Sequence, residues 1–180
     1  MGRMLAFTPA TEPAMKLPPA DSPLGKLMAT LPQAGRVEWI GLRPARGLPM
    51  LEVAQASAVV GEGLAGDRYQ GSSGSRDVTL IQSEHLPVIA ALSGYGAVPA
   101  ALLRRNIVVS GLPLIALKGR RFRVGEVLLE GTAPCDPCSL MEAALGPGGY
   151  NAMRGHGGLC ARIIEGGTLH IGDAVAAVPG

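Results

Sequence analysis

The chain has 180 residues, a formal charge of +2 and an apolar fraction of 47%, enough for one domain with its own core and too little for two. So small a positive excess argues against a nucleic-acid binder, which needs several Lys or Arg on one face. No run approaches the ~18 consecutive apolar residues of a membrane span and no secretory leader pattern is present. The three cysteines, an odd number, are therefore expected to stay as thiols in a cytoplasmic protein.

In chain order, residues 1–34 carry Pro9, Pro13, Pro18, Pro19, Pro23 and Pro32 and read as an extension, with a short helix only within Leu24–Leu31. The domain is expected over 35–180. Arg36 to Ile40 alternates polar and apolar as a half-buried strand does. Ser57–Gly61 and Asp77–Gln82 read as further strands, the second apolar enough to be central, with a long glycine-rich loop over 61–74 between them. Ser83 is a candidate N-cap for a helix running to about Leu92.

A second short helix is expected near Ala100–Leu103 and a strand at Asn106–Val109. Two hairpins follow: Phe122–Val124 with Val127–Glu130 about Gly125-Glu126, and Cys160–Glu165 with Thr168–Ile171 about Gly166-Gly167. With 26 glycines and 15 prolines, many short strands and few helices, the pattern predicts an α+β, predominantly β fold built on a barrel-like sheet.

The segment Pro134-Cys135-Asp136-Pro137-Cys138 concentrates the chemistry. Asp136 suits an N-cap and Pro137 the first helical position, with Leu140, Ala144 and Leu145 as a helical stripe, which puts Cys138 in the first turn. A thiol there lies near unpaired backbone N–H groups that favour thiolate, while Asp136 opposes ionisation. A thiolate ligates a soft metal or attacks sulfur. The competing reading is that Cys138 is a small buried apolar residue. Cys135, Cys138, His156 and Cys160 also form a C-x2-C, H-x3-C set with the ligand types of zinc, although Cys160 falls within an expected strand. A thioredoxin-type reading of the Cys135/Cys138 pair lacks the βαβ surroundings it needs.

The run from Leu103 to Gly111, Gly119 to Glu126, Pro137-Cys138, Ala161 to Gly167 and Gly172-Asp173, with Gly66-Asp67-Arg68-Tyr69 upstream, resembles the MOSC domain, the C-terminal domain of molybdenum-cofactor sulfurase. The resemblance covers roughly Arg36 to Val175. It implies a β-barrel of mixed strands with a few peripheral short helices, and a cysteine at Cys138 that ligates molybdenum or carries sulfur. In amidoxime-reducing relatives of this family the second member of a similar two-Cys motif supplies the thiolate, which makes Cys135 the accessory residue, a resolving or persulfide partner.

The implied molybdenum cofactor, a pterin dithiolene with a phosphate, needs cationic and N–H donors. Arg68, Arg76, Arg104, Arg105, Asn106 and Arg154 are the candidates, each weighed against simple surface pairing, and Asn151 lies in the glycine-rich run 146–158, which could form an anion nest. His156 is a candidate proton donor. The expected activities are reduction of N-hydroxylated compounds with a redox partner protein, or sulfur transfer with a desulfurase partner. The alternative is a non-enzymatic, zinc-stabilised protein-interaction module.

Overall fold

The computed structural model describes residues 18–69 and 74–178. The proline-rich reading of residues 1–17 and the centre of the glycine-rich loop, residues 70–73, lie outside them. The chain divides between Thr30 and Leu31 into two units. In the first, helix α1 (Pro23–Ala29) forms where expected: the Ser22 hydroxyl accepts from the Gly25 N–H at 3.0 Å and Pro23 takes the first helical position.

In the second unit, seven strands close into a barrel of mixed direction. The order is β1 (Gly35–Leu42), β6 (Ile107–Ser110), β5 (Val78–Gln82), β9 (Leu159–Glu165), β8 (Val127–Pro134), β7 (Arg121–Val124) and β11 (Ala174–Ala177), and β11 pairs back onto β1. Closure leaves no free edge along the ring. Only β5 and β6 run parallel, so their connection must cross over. It does so through α2 (His85–Ser93) and a 3-10 turn at Ala100–Leu103. A two-residue strand, β2 (Leu51–Glu52), extends β1. A small second sheet joins β10 (Gly167–His170), β3 (Gln55–Val59) and β4 (Gly63–Leu64).

Two apolar clusters follow from strand alternation. Val37, Leu80, Ile107, Val109, Phe122 and Leu129 fill the barrel. Ile81 and Val108, on the opposite face of β5 and β6, pack with Ile89, Leu103, Met141, Leu145 and Met153 from the helical segments. Burial on both faces is why Val78-Thr79-Leu80-Ile81 reads as a continuous run rather than an alternation.

Three local expectations need correction. Glu84, not Ser83, precedes α2, and it lacks a side-chain cap bond there because its carboxylate instead accepts from the Gly111 N–H at 2.6 Å. Gly166-Gly167 does not join a hairpin: β9 pairs with β5 and β8, whereas β10 leaves the barrel to pair with β3. The helix after the cysteine motif, α3 (Ser139–Leu145), starts later than expected. Cys138 itself is the N-cap, in extended conformation, and Met141 and Leu145 form the buried stripe while Leu140 is exposed.

Candidate functional site

The sequence Gly131 to Gly158 leaves the barrel along β8, turns through Cys135–Cys138 into α3, continues through α4 (Gly149–Met153) and returns to β9. Two glycines make this return possible. A Cβ on Gly157 would strike the Cys135 carbonyl, and Gly158 has φ +94 and lies against the Leu80 carbonyl. The close approach brings the Cys135 N–H within 2.8 Å of the Gly158 carbonyl.

Arg105 locks this junction. Its guanidinium, buried to 6% exposure, donates to the carbonyls of Gly157 (2.8 Å), Leu103 (3.0 Å), Cys135 (2.9 Å) and Asp136 (3.3 Å). Those bonds occupy most of the five-donor fork, so Arg105 is a cross-brace and not an open anion contact. Asn106 is likewise engaged. Its amide donates to the Asp67 carboxylate (2.8 Å) and the Gly41 carbonyl (3.2 Å), while its oxygen accepts from Arg43 (3.1 Å) and from the Thr79 N–H and hydroxyl.

Arg43, which sequence reasoning missed, completes that network with an ion pair to Asp67 at 3.0 Å. Burial alone would raise the Asp67 pKa, yet the bonds from Arg43 and the Tyr69 N–H hold it below the ordinary carboxylate range. The Gly-Asp motif is therefore a buried structural clamp.

The anion-nest reading of 146–158 also changes. Glu142 already occupies the turn, accepting from the N–H of Gly148 at 2.9 Å and of Tyr150 at 2.7 Å, and these bonds lower its pKa. Asn151 and Arg154 are exposed on and just after α4, and Arg68 is exposed beside the clamp. Arg104 takes a left-handed conformation, φ 56, and donates to the Leu48 carbonyl at 3.0 Å.

The reactive groups gather at the end of β8. A cavity of about 340 Å³ is lined by Gln82, His85, Leu114, Cys135, Asp136 and Gly157 among others. His156 packs edge-on against His85 with ring centroids 5.0 Å apart, and the Nδ1 atoms of both rings have no hydrogen-bond partner among the described residues. Burial pushes the His85 pKa down, with the His156 carbonyl pulling the other way. Cys138 is exposed, two residues beyond Asp136.

Cys135 and Cys160 are both buried, and the Cys160 thiol donates to the Pro134 carbonyl at 3.9 Å. The neighbouring Cys135, then Arg76 and Arg105, lower the Cys160 pKa against the opposing effect of burial, while the Cys135 thiol is pushed far up by Cys160 and by burial. The expected core position of Cys160 within a strand holds: it lies buried in β9. Among the described residues no three His, Cys, Asp or Glu side chains converge as a metal site, so the zinc set of Cys135, Cys138, His156 and Cys160 is not assembled. No described helix is long and apolar enough to cross a membrane.

Comparison with known proteins agrees with this fold. By fold the chain is similar to the YuaD protein of Bacillus subtilis, with a TM-score of 0.71 at 18% identity over 81% of this chain and 96% of that one. It is also similar to YiiM from Geobacillus stearothermophilus, with a TM-score of 0.66 at 18% identity over 81% of this chain and 75% of that one. YiiM from Escherichia coli gives 0.63 at 20% identity, over 81% and 70% respectively. No curated protein matches the chain. Residues 64–176, more than half the chain and all of the cysteine region, match the MOSC domain, and the protein belongs to that family.

Proposed function

We propose that this protein binds the molybdenum cofactor, or a sulfur-bearing intermediate of it, with Cys138 as the ligating or sulfur-carrying thiol. The function is assigned to residues 35–180, with 1–34 outside the domain. The observation that carries the reading is the exposure of Cys138 at the start of α3, two residues beyond the cavity-lining Asp136, in a family associated with this cofactor and with sulfur transfer.

The residues suit such a group. Thiolate is a soft donor, as a molybdenum centre or a sulfane sulfur requires. The ~340 Å³ cavity falls within the range of small-ligand sites. Arg68 and Arg154 are exposed cations available to a phosphate, whereas Arg105 and Asn106 act indirectly by fixing the backbone that carries the cysteines. When bound, the cofactor supplies two-electron oxygen-atom chemistry, suited to reducing N-hydroxylated compounds with electrons from a redox partner protein. The protein's own part is to hold the thiolate, with the His85–His156 pair available to manage a proton.

A second reading is sulfur transfer, with a persulfide on Cys138 supplied by a desulfurase. It is favoured by Cys135, a second thiol-bearing residue three positions before Cys138 and in the cavity wall.

Protein purified from a host that makes the cofactor distinguishes these. On the first reading it contains molybdenum and pterin, and Cys138→Ser lowers the molybdenum content by about tenfold or more. On the second it contains sulfane sulfur on Cys138 by mass spectrometry. Absence of molybdenum, pterin and sulfane sulfur from the wild-type protein would overturn both.

A further inference from the structure

We propose that the cavity at the end of β8 recognises a flat, uncharged organic molecule bearing a carbonyl-type hydrogen-bond acceptor, and that Gln82 is the residue that reads the acceptor. As a substrate class this rests on the cofactor reading above, but the binding itself requires neither Cys138 nor the cofactor.

The geometry of Gln82 is the first support. Gln82 is the last residue of β5, two places after Leu80, which belongs to the barrel core. Alternation therefore puts its side chain on the barrel face at the mouth, and Gln82 lines the cavity there. Its Oε1 accepts from the Leu114 N–H at 3.0 Å. Only the amide oxygen can accept from that N–H, so the orientation of the group is fixed and both Nε2 hydrogens face away from the bond. Among the described residues Nε2 has no acceptor. A ligand that supplies an acceptor completes the amide, and one that does not leaves a donor stripped of water and unpaired.

The second support is charge. Among the described residues no Lys or Arg lines the cavity, and Asp136 is its one carboxylate. Arg105 stands behind that wall with donors on the carbonyls of Cys135, Asp136 and Gly157, so its formal charge offsets that of Asp136. Burial lowers the His85 pKa, and the imidazole adds no charge near neutral pH. An anion entering here meets a carboxylate and no free cation, and a cation meets the Gln82 donors with donors of its own.

The remaining wall suits a ring. Leu114 and Ile115, on the 3-10 turn at Leu114–Leu117, and Pro134 of β8 are apolar, while Gly157 and Gly158 present main chain without side chains and so allow close approach. The cavity thus has apolar surface for the body of a small molecule and one oriented polar group for its acceptor. The phosphate of the cofactor, which needs cations, is thereby assigned outside the cavity, where Arg68 and Arg154 are exposed.

The test uses the full chain, reduced and free of cofactor, with three probes of one shape: benzamide, uncharged with a carbonyl acceptor; benzoate, an anion; and benzamidine, a cation without an acceptor. Binding is read from the NMR shifts of the Gln82 side-chain amide and the Ile115 methyl groups. Benzamide should bind about tenfold more tightly than either of the others, the effect of a hydrogen bond made against a donor left unpaired. Gln82→Glu keeps an oxygen to accept from Leu114 and replaces the open amide by a carboxylate oxygen. It should weaken benzamide by about tenfold and make benzamidine the preferred probe. Benzoate or benzamidine binding the wild-type chain as tightly as benzamide overturns the proposal, and so does binding of none of the three, whether or not the Glu variant folds. An unchanged order of affinities in a folded Gln82→Glu overturns it as well. The molybdenum, pterin and sulfane-sulfur content of the purified protein decides the cofactor reading and is independent of these affinities, so the two proposals fail separately.

Discussion

The barrel contains two polar centres that look alike in composition and differ in what they leave open. One is the clamp of Arg43, Asp67, Thr79 and Asn106, a cation, a carboxylate and two neutral side chains in mutual hydrogen bonds. The other is the strand-end cluster of Arg76, Arg105, Cys135 and Cys160, with a cavity alongside and two imidazole nitrogens unpartnered among the described residues. A network of this kind fixes backbone, because most of its donors already have internal acceptors. The second has reactive sulfur where the first has amide and carboxylate. The comparison teaches that polar residues within a family motif divide into those that build a site and those that work in it.

The comparison is tested most severely at Asp67. Asp67→Ala leaves the half-buried Arg43 guanidinium and the Asn106 amide without their carboxylate, and since breaking a fully buried pair costs about 3–5 kcal/mol, the loss here should be about 3 kcal/mol. Chemical denaturation should register that loss, and a change below about 1 kcal/mol would mean that the clamp does not organise the barrel. Acid probes the same group without mutation. Its folded pKa is depressed, so its contribution is fully present above the unfolded carboxylate value and lost as pH falls through the folded one. The wild-type protein should therefore lose stability below about pH 4, and Asp67→Ala should lose less over that range.

The strands were legible where one face is buried, as in Arg36 to Ile40, and where both are, as in Val78 to Ile81, because periodicity records burial directly. The turn at Gly125-Glu126 was legible too, since two short β-rich runs flank it. Pairing was not. Gly166-Gly167 has the composition of a hairpin turn, but the chain there passes from the barrel to the small sheet, and nothing local distinguishes the two outcomes. Cys160, expected as a core residue of a strand, is one; that Ala133 of β8 lies opposite it is visible only through the register. Arg43 was invisible for a related reason: its partners lie 24 and 63 residues away. The exposed Cys138 stands out in the sequence because Pro137-Cys138 precedes a helix, though the helix starts two residues later than the cap rules suggest.

A smaller effect is expected at Arg105, which ties the strand-end centre to the main chain. Arg105→Leu removes the donors from the Gly157, Leu103, Cys135 and Asp136 carbonyls. A buried carbonyl left unpaired costs about 1–3 kcal/mol, and water entering from the cavity offsets the rest, so the net loss should be about 2–3 kcal/mol. The same change should release the Cys135 segment and speed its reaction with a chromogenic disulfide reagent. Destabilisation without faster reaction would show that the brace supports the fold and not the cysteine junction.

The smallest effect on stability and the sharpest on chemistry belong to Arg76. The residue is exposed, and Arg76→Gln should alter stability by no more than about 0.5 kcal/mol. Its charge nonetheless lowers the Cys160 pKa, and Arg105 is the other cation acting on the sulfur pair. With Cys160 depressed to about 6, the thiolate is present above that pH and is lost as pH falls through it. In the Cys138→Ser background, the rate of thiol modification against pH should rise through that region, and Arg76→Gln should move the rise toward the ordinary thiol range. A neighbouring charge shifts a pKa by about 1–3 units, so the rate near neutral pH should fall by about tenfold. A purely structural Arg76 would leave the midpoint in place, and the strand-end cluster would then be as inert as the clamp.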